Sequence, residues 1–363
     1  MATAASAASS VPTSGSGSFR SEPMIEVRDL VKVYGGARGP TADSEVRAVD
    51  GISFSVSEGE FFGFLGPNGS GKTTTMRILT TLLGRTRGSV RVAGFDIDHD
   101  GARMREQIGY AGQSIGVDGD LTGRENLTLM GRLYHLPGPV VRARVEELLQ
   151  LLQLTEAADR PAFTYSGGMR RRLDLGSALV HRPKLLFLDE PTTGLDPQTR
   201  NALWDYLREL HVRDRVTIFL TTQYMEEADQ LCERVAIIDH GRIVAQGTPA
   251  QLKAEVGADS VTIRLPLDEG FEARRREALE LVRTVPEVVG AAPVELGVTV
   301  RARNGGAVLV EILRRLEAGH IAVKEVAVSP PTLDQVFLRH TGREMRVEEV
   351  RPLTRMPRRG MGR

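Results

Sequence analysis

From residue 24 to about 250 the chain repeats short apolar or β-branched runs: Met24–Arg28, Gly51–Val56, Phe61–Leu65, Leu185–Asp189, Thr217–Thr221 and Val235–Asp239. Each has the length and composition of a strand, and an unbroken run such as Phe61–Leu65 suits a strand covered on both faces. Between them lie segments with apolar residues at three- and four-residue intervals, so the alternation predicts a mostly parallel sheet flanked by helices. Gly35 to about Ser44 is polar, with Gly and Pro, and reads as a loop. From about Gln113 to Ser166 the pattern is helical, with Glu125–Leu133 and Val140–Leu152 the clearest stretches. Residues 114–166 thus form a compact helical insertion within an α/β unit spanning 23–255.

A second unit, residues 256–342, begins near Asp259. Val261, Ile263 and Leu265 alternate as a strand, Phe271–Arg283 is helical, and Val288–Ala291 is a weak strand. Val298–Arg303 reads as a strand, Ala307–Ala318 as a helix and Ile321–Val328 as a strand, together approximating a small α+β unit of βαββαβ order. Residues 1–22, rich in Ala, Ser and Gly, lack the charged start and apolar core of a signal peptide and read as a disordered leader. Residues 343–363 are Arg-rich and read as a disordered basic tail, suited to solubilisation or to weak attraction by anionic lipid.

Composition narrows the partners. The chain of 363 residues carries 47 Lys plus Arg and 47 Asp plus Glu, so no net positive field draws it to nucleic acid. Its length suits roughly two domains. No stretch approaches the roughly twenty apolar residues that span a bilayer, so any action at a membrane requires a partner. The single cysteine, Cys232, in the helical run Glu226–Arg234, cannot form an internal disulfide and reads as a buried structural thiol. The seven histidines show no metal-ligand spacing.

The chemistry is concentrated in Gly66-Pro67-Asn68-Gly69-Ser70-Gly71-Lys72-Thr73, which follows the strand Phe61–Leu65 and leads, through Thr74, into a helix. Strand, glycine-rich loop and helix in this order make a phosphate-binding loop: backbone N–H groups curl around phosphate oxygens, and the helix N-terminus favours negative charge. Lys72 reaches the β- and γ-phosphates and the Thr73 hydroxyl holds Mg²⁺. A second cluster, Asp189-Glu190, ends the apolar strand Leu185–Asp189. Asp189 suits a Mg²⁺ ligand and Glu190 a general base for water; paired acids there could also cap the turn that begins at Pro191. Ser166-Gly167-Gly168 opens the helical run Met169–Leu179 and offers a second anion site. Alone it reads by default as a plain helix cap, and Arg170-Arg171-Arg172 beside it reads as a solvated face.

Four motifs in order carry a resemblance: the phosphate loop, Tyr165-Ser166-Gly167-Gly168-Met169, Leu188-Asp189-Glu190-Pro191 and Thr193-Gly194-Leu195-Asp196. They resemble the ATP-binding-cassette ATPases over about residues 24–250. Thr164–Leu173, Leu220–Asp229 and Leu333-Asp334-Gln335-Val336-Phe337-Leu338 are similar to the daunorubicin-resistance type of drug-export ATPase. The resemblance implies a P-loop NTPase fold with ATP and Mg²⁺ as ligands. It implies that Tyr34 stacks on adenine, a contact worth about 1–3 kcal/mol and tolerant of base identity, so GTP remains open; a strand tyrosine can also be core. It implies that Gln113 touches Mg²⁺ and water and that Asp196 reaches across a dimer. Gly112 replaces the usual proline before Gln113, which predicts a looser loop. Gln223 stands where most members have a histidine, and its amide can orient water but cannot titrate. Met169 replaces the commoner glutamine of the signature.

What the resemblance implies overall is the ATP-hydrolysing subunit of an exporter on the cytoplasmic face of the cell membrane. It would be peripheral, paired with a second copy and a separate integral membrane permease, with no nucleic acid. The cargo would be an anthracycline-like drug, another hydrophobic metabolite or a lipid. A soluble ATPase acting on ribosomes or DNA is the alternative.

Overall fold

The structure, a computed structural model, describes residues 22–35 and 45–343; the expectations for the leader, for most of the Gly35–Ser44 loop and for the basic tail lie outside them. In chain order the first unit runs β1 (Ile25–Tyr34), β2 (Val46–Val56), β3 (Phe61–Leu65), α1 (Lys72–Leu79), β4 (Arg87–Val92), β5 (Phe95–Asp96), α2 (Gly101–Arg105) and β6 (Ile108–Ala111). It continues with α3 (Gly123–Leu133), α4 (Gly138–Leu151), α5 (Gly167–Leu179), β7 (Leu185–Asp189), α6 (Pro197–Asp214), β8 (Thr217–Thr222), α7 (Met225–Leu231), β9 (Arg234–Asp239), β10 (Arg242–Gly247) and α8 (Pro249–Val256). The second unit holds β11 (Asp259–Arg264), α9 (Phe271–Arg283), β12 (Val288–Val294), β13 (Gly297–Ala302), α10 (Gly305–Ala318) and β14 (Glu325–Ser329), and α11 (Leu333–Thr341) follows.

The central sheet has the order β10-β9-β3-β8-β7-β6, parallel except for β10. All five residues of β3 are buried because both faces are covered, and successive side chains go to opposite sides. Phe61 and Leu65 join the cluster formed with the helices. Phe62 and Phe64 join Phe54, Phe187 and Phe219, whose ring centroids lie 5.4–5.9 Å apart in the pairs they form. This aromatic layer faces a second sheet, β2-β1-β4-β5, which is antiparallel.

The mostly parallel sheet stands as expected, and this antiparallel sheet is added beside it. Its strands run longer than the periodicity indicated, because bulges interrupt the inward–outward alternation: β1 and β2 shift register three times, and Gly51, at φ +73°, lies inside β2. The helical run expected over Glu226–Arg234 ends at Leu231, and Arg234 already starts β9. Cys232, just past the helix, is buried, and burial pushes its thiol well above its ordinary value.

In the second unit, β12-β13-β11-β14 form an antiparallel sheet with α9 and α10 packed on it around Val261, Ile263, Val300, Val282 and Ile312. The last strand starts at Glu325 rather than Ile321, whose side chain packs into this core ahead of the strand. Helix α11 leaves the unit altogether. Thr332 caps it, and Leu333, Val336 and Phe337 are buried in the core of the first unit, against α7 and α8. Its end is tied down as well: Arg339 donates to the Glu255 carbonyl, and Arg343 donates to Asp239 at 2.6 Å.

Removing a buried Phe from such a core costs about 3–5 kcal/mol. Phe337→Ala is therefore expected to lower the denaturant midpoint of the ATP-binding unit, although the residue lies beyond the second unit in sequence. Urea unfolding followed by far-UV circular dichroism checks this; an unchanged midpoint would mean that α11 is not docked.

Candidate nucleotide site

The sheet order assembles the site. Strands β3, β8 and β7 are neighbours, with Leu65 opposite Thr222 and Thr221 opposite Asp189, and β6 follows with Ala111 opposite Leu188. The four segments leaving their carboxyl ends therefore emerge side by side: the phosphate loop, Gln223, Glu190 and Gln113. A crevice at the carboxyl edge of a parallel sheet is where α/β proteins bind ligands.

Within the loop, three glycines are required by geometry. A Cβ at Gly66 would lie 2.2 Å from the Ile238 carbonyl oxygen, and one at Gly71, at φ +112°, 2.4 Å from that of Ala48. Gly69 adopts φ +77°. The loop is braced from behind by the β9–β10 turn, where the Gly241 N–H donates to the Ser70 carbonyl at 2.9 Å. No side chain caps α1, whose N-cap is Gly71, which leaves its first N–H groups to the loop. Pro67, Asn68, Gly69 and Thr74 line or flank this curve, and Ser70 Oγ is buried without a partner.

Charges meet where the loop meets β7. Lys72 is buried, donates to the carbonyls of Gly66 at 2.8 Å and Pro67 at 3.0 Å, and lies 3.2 Å from Glu190 Oε1. Burial holds its ammonium below its ordinary pKa, opposed by the carboxylates of Glu190 and Asp189. Asp189 Oδ1 accepts from Thr221 at 2.6 Å and from Thr73 at 3.3 Å, while Oδ2 is buried without a partner. An unsatisfied buried carboxylate oxygen beside a threonine hydroxyl is a donor set that fits Mg²⁺. Glu190 adopts φ +49°, a left-handed conformation costing a non-glycine residue about 1–2 kcal/mol. Its N–H donates to the Thr221 carbonyl, and Oε2 accepts from Gln113 and Thr193, each at 3.4 Å. Gln223 is only 3% exposed, with Oε1 buried and unpartnered.

The other site residues lie apart. Tyr34 ends β1, 43% exposed with the Lys32 ammonium 5.2 Å from its ring centroid, so it is not core. Ser166 caps α5 by accepting from the Met169 N–H at 3.2 Å; Ser166 and Gly167 are exposed, and a Cβ at Gly167 would meet nothing within 4 Å. Gly168 packs against Thr199. Asp196 caps α6, accepting from the Thr199 N–H and hydroxyl, which hold its carboxyl below its ordinary pKa. Among the described residues no hydrogen bond or ion pair joins Ser166, Gly167 or Gly168 to the phosphate loop.

One expectation is overturned here. Arg170-Arg171-Arg172 is not a solvated face: at 100° per residue three neighbours point three ways, and Arg171 is buried. Arg171 donates to the carbonyls of Pro191 at 2.9 Å, Gly112 at 2.7 Å and Asp189 at 3.3 Å, and pairs with buried Asp174 at 3.3 Å. Burial keeps the Asp174 carboxyl above its ordinary value, opposed by the Gly116 N–H and by Arg171. The same groups hold the two ends of the segment from Gly112 to Gly116, Arg171 at the Gly112 carbonyl and Asp174 at the Gly116 N–H. Spacing carried the signal, since Arg171 shares its helix face with buried Leu175 and Ala178.

Comparison with known proteins agrees with this geometry. The chain matches the ABC transporter family over residues 49–193 and the C-terminal domain of DrrA1-3-like ATP-binding proteins over residues 247–341. It is 44% identical over 320 residues to the daunorubicin/doxorubicin resistance ATP-binding protein DrrA of Streptomyces peucetius, covering 88% of this chain and 92% of that one. It is 38% identical over 330 residues to the Nod factor export ATP-binding protein I of Ralstonia nicotianae, covering 90% and 96%. A dimeric ATP-binding cassette solved with ADP and Pi superimposes with TM-score 0.56 at 25% identity, covering 62% of this chain and 98% of that one.

Arg171→Met strands Asp174 as a buried unpaired charge, a loss worth about 3–5 kcal/mol. The expected outcome is a lower urea midpoint together with loss of nucleotide binding, measured by titration with a fluorescent ATP analogue. Full binding at unchanged stability would refute the bracing role.

Proposed function

We propose that this chain, which belongs to the ABC transporter family of ATP-binding proteins and within it to the daunorubicin-resistance type, powers the export of a hydrophobic drug, antibiotic or lipid-like compound through a separate integral membrane permease. The observation that carries this reading is the division of the site. Lys72, Asp189 and Glu190 cluster in burial at the phosphate loop, while Ser166 and Gly167 stand exposed at the head of another helix, with Gly168 partly covered beside them. Two copies facing head to tail bring the exposed half of each to the buried half of the other. The solved cassette dimer with ADP and Pi supports that arrangement.

In this arrangement the backbone N–H groups of Asn68, Gly69, Gly71, Lys72, Thr73 and Thr74 and the Lys72 ammonium hold the phosphates of ATP, and Tyr34 stacks on the base. Thr73, Gln113 and Asp189 would hold Mg²⁺, which would supply Lewis-acid stabilisation of phosphoryl oxygens. Glu190 accepts the proton of the attacking water, and Gln223 orients that water without titrating. Ser166, Gly167, Gly168 and Asp196 serve the partner's nucleotide. Residues 23–255 form the motor, with residues 114–166 as its helical subdomain, and 256–342 the accessory unit, except that α11 at its end docks into the motor's core. Among the described residues no helix is long and apolar enough to cross a membrane; the proposed place is peripheral, on the cytoplasmic face, held by the permease. The names of the relatives, drug resistance in one and Nod factor export in the other, support the export reading.

Glu190→Gln is expected to accumulate a dimer in Mg·ATP on size exclusion. A monomer alone, with wild type still hydrolysing rapidly, would overturn the sandwich. Gln223→Ala should lower kcat by about 10²-fold through misplaced water, and the pH–rate profile of wild type should carry no histidine-like pKa from this position. The permease is tested by affinity capture from detergent-solubilised host membranes: a co-purifying multispan protein is expected, whereas ribosomal or DNA-associated proteins from the soluble fraction would replace the exporter reading.

A further inference from the structure

Gln223 presents a problem of aim. It is buried, its carbonyl oxygen has no partner, and among the described residues no hydrogen bond holds its side chain. Its direction is therefore set by the backbone that carries it, which passes through Tyr224 into α7 within two residues. What fixes α7 fixes Gln223.

A buried polar pair does so. Glu227, in the first turn of α7, is fully buried, and its Oε1 accepts from the Trp204 indole N–H of α6 at 3.0 Å. Its Oε2 faces the hydroxyls of Thr222 and Thr192 without an ordinary hydrogen bond. Burial holds this carboxyl above its ordinary pKa, which removes part of the cost of enclosing it. A second contact joins the same helices nearer their starts: the Arg200 guanidinium of α6 lies 4.5 Å from the ring centroid of Tyr224, the residue after Gln223. At the head of α6, Asp196 is the cap and Thr199 packs against Gly168. An apolar residue at 227 would fill the space without an unpaired oxygen, so burial alone does not call for a glutamate here.

We infer that the Trp204–Glu227 hydrogen bond positions Gln223, locking it to the helix that carries Asp196 and Thr199. The pair touches no nucleotide and acts through α7; water orientation at one nucleotide then moves together with the surface offered to the partner copy. This rests on the reading above, and the test separates the two.

Trp204 is the sole tryptophan, so its emission reports the pair directly. In full-length Glu190→Gln protein, Mg·ATP is expected to shift that emission, and adding Glu227→Leu should abolish the shift. In otherwise wild-type protein, Glu227→Leu and Trp204→Phe should each lower kcat about tenfold with KM for ATP changed less than about threefold, and the double variant should be no worse than either alone. Glu227→Gln, which still accepts from the indole, should restore kcat to within about threefold. If Glu227→Leu fails to fold, Trp204→Phe carries the kinetic test, since it keeps a ring and removes the donor. Unchanged kcat in the foldable single variants, no rescue by Glu227→Gln, or static emission in a protein that does dimerise would overturn the inference. Failure of Glu190→Gln to dimerise would count against the sandwich, and the kcat and rescue comparison would still decide the positioning role.

Discussion

The structure turns on burying an ammonium and two carboxylates at one end of a parallel sheet. Lys72, Asp189 and Glu190 would each be costly to enclose alone, and together they offset one another in a way that depends on register. Lys72 must leave β3 on the strand two places from β7, and Thr221 of the strand between must reach Asp189. A slip of one residue in β8 would send Thr221 to the opposite face and leave the carboxylate stranded. The aromatic layer of Phe54, Phe62, Phe64, Phe187 and Phe219 supplies that register with apolar packing that does not depend on nucleotide.

Around this centre the fold separates stiffness from exposure. The phosphate loop is braced on three sides: by Ile238 of β9 and Gly241 of the β9–β10 turn, by Ala48 of β2, and by Glu190 just after β7. The segment carrying Gln113 is held by Arg171 and Asp174 from α5. By contrast Tyr34, Ser166, Gly167 and Asp196 sit at element ends with exposed side chains or backbone. Groups that must hold charge are enclosed, and groups offered to a base or to another copy are at the surface.

How much of this the sequence disclosed follows from the range of each interaction. The phosphate loop, β7 with its paired acids, and helices such as α9 are local: a few consecutive residues specify them, and Phe271–Arg283 was legible to the residue. The antiparallel sheet was blurred because bulges break the period of two on which strand reading rests. Arg171 was misread because three consecutive arginines look like one charged surface until helical angle is applied. The bonds from Thr221 to Asp189 and from Trp204 to Glu227 span 32 and 23 residues. Nothing local marks them, and only the sheet and helix packing brings their ends together.

Helix α11 has a consequence for how the protein is made. The first unit emerges from the ribosome long before the helix whose Leu333, Val336 and Phe337 complete its core. Because synthesis is vectorial, the nascent motor must wait, with an apolar face open, while the whole second unit is translated. A chain that stalls within the second unit therefore leaves the motor incomplete, with exposed apolar surface of the kind that chaperones and proteases engage.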